Sequence, residues 1–273
     1  MLIISRHQQI LDILKREKSV TVARLAKEVF ASEPTIRRDL AVLEEQGQIK
    51  RVYGGAVLGG APDREKIVEI YNEINNYKMF DYVAPEVVDL YSLTQWKMKN
   101  GEFVGGPHSA FKVIFCDISI EGREVRRWNQ PLFAATGKAL FALLTAIDPE
   151  TGRREFLVKV TPEAGCFDGA EIGPTIQQEA FETNKSKDEI VYFFEEQLRK
   201  KQPIIDVMLS EEGGRFYHEE NRNLILEVNK ADAPQDVAGY HWCDFATLNY
   251  LTQINNCLNI QLRNLLSLID EQE

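Results

Sequence analysis

Closely spaced cysteines are missing from this 273-residue chain. Its four cysteines, Cys116, Cys166, Cys243 and Cys257, stand far apart, so no CxxC zinc motif can be written. We read them as reduced and structural. No apolar run approaches the roughly 18 residues that cross a bilayer, which leaves no expectation of a membrane partner. The opening Met-Leu-Ile-Ile-Ser-Arg-His-Gln-Gln lacks the charged-then-apolar order of a secretory leader. Low-complexity tracts are absent too. These absences together lead to the expectation of a cytoplasmic protein.

What remains is ordinary in amount and uneven in placement. Apolar residues make up 44% and charged residues 27%, as in soluble globular proteins, and the length suits one large domain or two smaller ones. The net charge is −10, which taken alone speaks against a nucleic-acid partner. The distribution reverses that reading. Residues 1–57 hold ten Lys/Arg against seven Asp/Glu, while residues 58–273 hold 22 against 35. A basic head on an acidic body is the pattern of a DNA-binding module joined to a sensor or enzyme domain.

The head has helical periodicity. Ile10, Leu11 and Leu14 predict a first helix over about Arg6–Glu17, and Leu25, Ala26 and Val29 a second over Val22–Val29. Val20-Thr21-Val22 reads as a short strand. After a turn at Phe30-Ala31, a third helix runs from Ser32 to about Gln46, with Ile36, Leu40 and Leu43 as its buried stripe. Ser32 is placed to cap it and Pro34 sits where a missing N–H costs little. Gly47 is suited to end it. Ile49–Val52, followed by Gly54-Gly55, forms a wing.

The pattern Arg6…Ile10-Leu11…Leu25-Ala26…Ser32…Thr35-Ile36-Arg37-Arg38-Asp39-Leu40…Gly47…Arg51…Gly54-Gly55-Ala56 resembles the DeoR-type winged helix of bacterial transcription regulators, over about residues 3–57. The resemblance makes Thr-Ile-Arg-Arg-Asp-Leu the recognition helix. Chemistry agrees. Arg37 and Arg38 can pair with guanine or clamp phosphates. Ser32 and Thr35 offer hydroxyls at a helix N-terminus that itself attracts phosphate. Lys50 and Arg51 can grip the backbone from the wing. Asp39 has the character of a structural partner for an arginine. The expected partner is double-stranded DNA, met by a homodimer because such domains bind paired half-sites.

Leu58-Gly59-Gly60-Ala61-Pro62 has the composition of a hinge. Beyond it, Ile67, Ile70, Tyr71 and Ile74 predict a helix over Asp63–Lys78, capped by Asp63. The body then mixes strands and helices. A hairpin is expected around Asn100-Gly101, with strands at Phe111–Phe115, Leu140–Ile147 and Phe156–Val160. Helices are expected at Lys187–Lys201, Trp242–Leu251 and Ile260–Ile269. The Gly-rich phosphate loops of the sugar-phosphate sensors that usually accompany DeoR-type heads are not evident.

Between these elements lie Glu124–Leu132, Thr161-Pro162-Glu163-Ala164-Gly165, Gly173-Pro174-Thr175-Ile176-Gln177, Ser210–Arg222 and Gly239-Tyr240-His241-Trp242. Together they resemble the NDP-hexose 2,3-dehydratase family, from about Leu93 to Leu268. The resemblance implies a Nudix-related α/β fold, although the Glu-rich Nudix metal box is absent. No pyrophosphatase activity, metal or cofactor is therefore expected. The chain carries one repeat where the family's enzymes usually carry two. It has Thr161 and Cys166 where the family shows Lys and Asn, and Ala164 where it shows Pro.

The fold class expected is α+β: an N-terminal winged helix-turn-helix over 1–57, a hinge and linker helix over 58–85, and a C-terminal Nudix-like α/β domain over 86–273. A nucleotide sugar would need cations for its pyrophosphate and aromatic and amide groups for its base. Arg215, Arg222 and Arg263 are the cationic candidates. Trp128, Gln130, Gln177 and Tyr217 are the aromatic and amide candidates, with Glu163 and Thr175 in the same phrases. Each has a structural alternative: Trp128 and Trp242 as core filling, Gln130 as a turn former, Arg222 as an ion pair, Glu163 as a turn cap. His218 and His241 could serve as bases, and no catalytic residue is assigned. Three readings follow: a regulator with a nucleotide-sugar effector, an active dehydratase working as a homodimer, or a dimerisation module without a small ligand.

Overall fold

A computed structural model of the chain describes residues 3–17, 19–45, 48–57, 62–107, 109–149, 151–180, 188–254 and 257–269. Gly47, Lys187 and residues 58–61 of the expected hinge lie outside them. The described residues form two compact units. One runs to Tyr71 and takes in Cys243–Cys257, and the other comprises Asn72–Trp242 with Leu258–Ile269. Among the described residues no helix is long and apolar enough to cross a membrane.

The first unit opens with helix α1 (Ile3–Glu17), strand β1 (Ser19–Thr21), helix α2 (Val22–Glu28) and helix α3 (Glu33–Glu45). Strands β2 (Lys50–Val52) and β3 (Gly55–Val57) follow and pair antiparallel as a wing, with β1 on the other edge of β3. The expected stripes are the core: Ile10, Leu14, Leu25, Ile36, Leu40 and Leu43 are all buried. Thr21 caps α2 by accepting from the Arg24 N–H, and the chain turns into α3 through Phe30 at φ 53°. Gly55 is required by close approach, because a Cβ there would lie 2.4 Å from the Val20 carbonyl oxygen.

Asp39 locks this unit. It is buried on α3 and accepts from Arg6 Nε at 2.5 Å, Arg6 Nη2 at 2.9 Å and His7 at 3.1 Å. Burial pushes its pKa up, but the hydrogen bonds from Arg6 and His7 and the charge of Arg6 outweigh that and hold it below the usual carboxylate value.

Helix α4 (Arg64–Asn76) begins where Asp63 accepts from the Glu65 and Lys66 N–H groups, and it buries Ile70 and Ile74. The second unit contains two sheets. Strands β4 (Lys97–Lys99), β5 (Glu102–Val104), β6 (Phe111–Ser119) and β7 (Arg127–Ala135) form an antiparallel sheet in that order. Asn100 and Gly101, both at positive φ, make the β4–β5 turn.

The larger sheet is built from β8 (Leu140–Ile147), β9 (Arg154–Pro162), β10 (Ala170–Gly173), β11 (Ile176–Gln178), β12 (Ile205–Ser210), β13 (Glu220–Glu227) and β14 (Tyr240–Asp244). Its order is β10-β9-β8-β13-β12, with β11 also on β8 and β14 on β9; β13 runs parallel to β8. Helix α5 (Glu189–Lys200) buries Ile190, Phe193 and Phe194 in this sheet's core. Helices α6 (Phe245–Leu251) and α7 (Ile260–Ser267) close the chain.

Two expectations change. The helix expected from Trp242 starts at Phe245, because Trp242 lies on β14 and Asp244 is the N-cap, accepting from the Thr247 N–H at 2.9 Å. The Glu124–Leu132 and Ser210–Arg222 phrases, read as connections, supply much of β7 and the start of β13.

Candidate functional site

On the head, the residues picked for DNA contact lie on α3, the turn before it and the wing. Ser32 caps α3: its hydroxyl meets Thr35 Oγ1 at 2.8 Å and accepts from the Thr35 N–H at 3.4 Å. Arg37 reaches back to Glu33 at 3.1 Å. Arg38 and Lys50 are exposed and have no ion-pair partner among the described residues. Arg51 is tied to α3, since Glu44 accepts from its N–H at 2.8 Å and its Nε at 2.5 Å. The Arg51 hydrogen bonds hold the Glu44 pKa low. Two exposed aromatics escaped sequence reasoning, Phe30 in the turn and Tyr53 beside the wing glycines.

In the second unit the nucleotide-sugar candidates separate into two groups. Glu163, Gln177 and Arg263 gather around the β9–β10 end, together with Thr161, Cys166, Glu171 and Asn259. Thr161 lies opposite Glu171 across the strands. Asn259 donates to Gln177 at 2.9 Å. Gly173 leaves room among them: a Cβ there would be 3.1 Å from Asn259 Nδ2, 3.3 Å from Gln177 Oε1 and 3.6 Å from Thr161 Oγ1.

Burial pushes up the pKa of Glu163. It does the same to Glu171, with Glu163 adding to the rise and Arg263 opposing it. The Cys166 thiol is raised by burial and by both glutamates. Burial thus disfavours the charged form of both carboxyls, and carboxyl groups of this kind can hydrogen-bond to ligand hydroxyls. Thr161 and Cys166, two of the three positions where the resemblance led to other residues being expected, stand inside this cluster. Asn259 and Glu171 were missed, because a strand register and a late helix cap bring them here.

The other group is Trp128, Gln130, Arg215 and Tyr217. Trp128 and Gln130 share one face of β7, and the indole N–H donates to Gln130 Oε1 at 2.6 Å. Gln130 then donates to the Gly214 carbonyl at 2.6 Å, which pins the loop before β13 to β7. Arg215 pairs with Glu212 at 2.8 Å and lies over Phe216. Backbone bonds between Phe133 and both Arg215 and Tyr217 continue the attachment. This loop and β7 border an open groove of about 490 Å³, lined among others by Thr136, Lys138, Tyr217, His218 and Glu219.

The remaining candidates have structural partners. Arg222 is held by Asp206 through bonds of 2.8 and 2.6 Å across β12 and β13. Thr175 is buried and spends its hydroxyl inside the sheet, accepting from the Leu144 N–H at 2.8 Å and donating to the Leu157 carbonyl. It bridges the point where β11 gives way to β9 along β8. The Thr175 side chain is closed to a ligand, whereas the Arg222 guanidinium stays on the surface beside Asp206. His241 is buried against Glu73 at 2.6 Å. Trp242 packs partly buried on the core, as the core-filling alternative for it has it.

The architecture is thus a winged helix-turn-helix unit and a sheet-rich α+β body. The chain belongs to the NDP-hexose 2,3-dehydratase family, whose profile matches residues 67–269, and its residues 6–59 match the DeoR-like helix-turn-helix domain. It is 34% identical over 171 residues to a dTDP-4-dehydro-6-deoxy-alpha-D-glucopyranose 2,3-dehydratase of Streptomyces violaceoruber, covering 62% of this chain and 38% of that protein. The head is 50% identical over 56 residues to the HTH-type transcriptional regulator FruR of Bacillus subtilis, covering 20% of this chain and 22% of that one. This chain therefore spans well under half the length of these relatives. Among solved structures, the Ap4A hydrolase of C. elegans aligns at 15% identity over 48% of this chain and 93% of its own, with a TM-score of 0.29, too low to support an argument about fold.

Proposed function

We propose that this protein is a DNA-binding transcription regulator whose body binds a nucleotide sugar as effector. The observation that carries the reading is one chain holding a DeoR-like head, with Arg38 and Lys50 exposed, and a body of the dehydratase family. The head over 1–57 would read double-stranded DNA through Ser32, Thr35, Arg37, Arg38, Lys50 and Arg51. Residues 58–85 would serve as hinge and linker, and residues 86–273 as a Nudix-like α/β sensor. The relatives named as 2,3-dehydratases act on a dTDP-linked 4-dehydro-6-deoxy sugar, so a sugar of that type is the proposed ligand. Glu163, Gln177 and Arg263 would hold one part of it and Trp128, Gln130, Arg215 and Tyr217 another. The working form is a cytoplasmic homodimer. An effector acts only by binding one DNA-competent arrangement better than another.

Calorimetric titration of the full chain with dTDP-4-keto-6-deoxyglucose tests the body. Binding is expected. Arg263→Ala should weaken it about tenfold or more, the loss of one charge-assisted hydrogen bond. Absence of binding at millimolar sugar would remove the effector reading.

The second reading is an active dehydratase whose homodimer supplies two repeats. Its support is the 34% identity over 171 residues to a dehydratase.

A further inference from the structure

The segment between α4 and β4 carries a run of exposed apolar side chains. It leaves α4 through one wider helical turn (Tyr77–Asp81) and is anchored there. Lys78 pairs with Asp168 at 2.5 Å, and the Tyr82 ring lies so close to Gly169 that a Cβ there would be 2.4 Å from it. From this anchor to Tyr91 the segment runs as an arm in water. Phe80, Val83, Val87, Leu90 and Tyr91 are all exposed, Val87 at 98% and Tyr91 at 95%. Among the described residues, no backbone hydrogen bond holds residues 83–88.

The sheet of β4, β5, β6 and β7 presents a second such surface. Strand register places Met98, Phe103, Val113 and Phe133 in one row across all four strands. Phe115 stands on the same face, two residues further along β6. A one-sided sheet ordinarily turns its polar face to water, yet Met98 is 62% exposed and Phe115 60%. Phe216 extends the row past β7, bridging Phe133 with the two rings 6.1 Å apart. Arm and face together leave on the order of 1,000 Å² of apolar surface in water. That exceeds the roughly 300–600 Å² of the largest patch on an ordinary monomer. It also meets the ~800 Å² that each partner gives to a standard interface. The two surfaces differ in charge. Residues 79–96 hold three acidic residues and no Lys or Arg, whereas residues 97–135 hold six Lys/Arg against four Asp/Glu.

We propose that both surfaces are covered by a second copy of this chain, the arm of each protomer lying on the β4–β7 face of the other. This rests on the homodimer reading above and names its surface. Within one chain the arm does not cover its own sheet, since both stay exposed, so reciprocal seating is what takes both out of water. Burial of the apolar row drives the contact. Asp81, Glu86 and Asp89 of the arm meet a sheet whose Lys97, Lys99, Arg123 and Arg126 are exposed. One two-fold axis seats both arms, so the contact closes on itself and stops at two copies.

Sedimentation equilibrium of the full chain tests this on wild type, Val87→Asp in the arm, Phe115→Asp on the face, and an equimolar mixture of the two variants. Val87 is exposed and lies outside every helix and strand, so its replacement leaves the fold intact. Near-UV circular dichroism checks the sheet in Phe115→Asp, and Met98→Asp is the second face variant. Wild type is expected to dimerise. Each variant should raise the dimer dissociation constant about thirtyfold or more, the loss of a hot-spot side chain. The mixture keeps one intact arm opposite one intact face. It should therefore form dimers at a concentration where either variant alone is monomeric. Monomeric wild-type protein would overturn both this proposal and the homodimer reading. A wild-type dimer that both variants preserve would overturn arm exchange alone. So would a mixture as monomeric as its components, because arm would then meet arm or face meet face.

Discussion

Arg38→Ala is expected to weaken binding to duplex DNA about tenfold to a hundredfold at fixed salt, the worth of one bidentate base or phosphate contact of about 1–3 kcal/mol. The expectation follows from availability. Arg38 is exposed in the second turn of α3 with no ion pair among the described residues. Arg37→Ala should act in the same direction. Arg37 must first release Glu33, but that exposed pair is worth only a few tenths of a kcal/mol, about the scale of i,i+4 helix pairs. Fluorescence anisotropy with DNA from upstream of the gene, repeated across salt, checks both the loss and its kind. A phosphate contact lowers the salt slope by about one, whereas a base contact changes sequence preference. Calorimetry should meanwhile show unchanged nucleotide-sugar affinity. Equal damage to both activities would mean that the head and body are not separable modules.

Asp39→Ala should destabilise the head by about 3 kcal/mol, toward the lower end of the cost of breaking a buried ion pair. The Asp39 side chain is 7% exposed and that of Arg6 is 15% exposed, so Arg6 would lose its counter-ion while retaining some access to water. Urea unfolding followed at the head's own transition measures this. A loss of about 0.5 kcal/mol, the scale of a surface pair, would show that the contact is not a lock. The same group sets a pH dependence. Its folded pKa lies below the unfolded value, near 3.9, so its contribution is present in full above that value. It is lost as pH falls through the folded pKa. The Asp39→Ala head should lack that acid-side loss.

The head was legible because its signals are local. The Ser32 cap, the Ile36, Leu40 and Leu43 stripe and the wing glycines each act within a turn or two, and all stand where the pattern put them. The β4–β5 hairpin was legible for the same reason. The body's sheet was not. Strand β13 is defined by parallel pairing with β8, some 80 residues away along the chain, and its first residues read as a polar motif. Trp128, Gln130, Leu132 and Ala134 do alternate along one face of β7, a period-two signal hidden by the conspicuous phrase around Trp128.

Site residues chosen by chemical type divided by the same rule. Arg222 could be named from its charge alone, whereas its partner Asp206 is placed beside it only by strand register. Glu163, Gln177 and Arg263 do meet, but Glu171 and Asn259 join them only through the β9–β10 pairing and the cap of α7.

The central claim is that one chain couples the two ligands. The most direct measurement is the affinity of the full protein for DNA from upstream of its gene, at one fixed salt concentration, with and without saturating dTDP-4-keto-6-deoxyglucose. Salt must be fixed because phosphate contacts make affinity steeply salt-dependent. The regulator account predicts a change of about fivefold or more, the lower bound of ordinary allosteric coupling. DNA affinity that stays the same while the sugar is bound would contradict it.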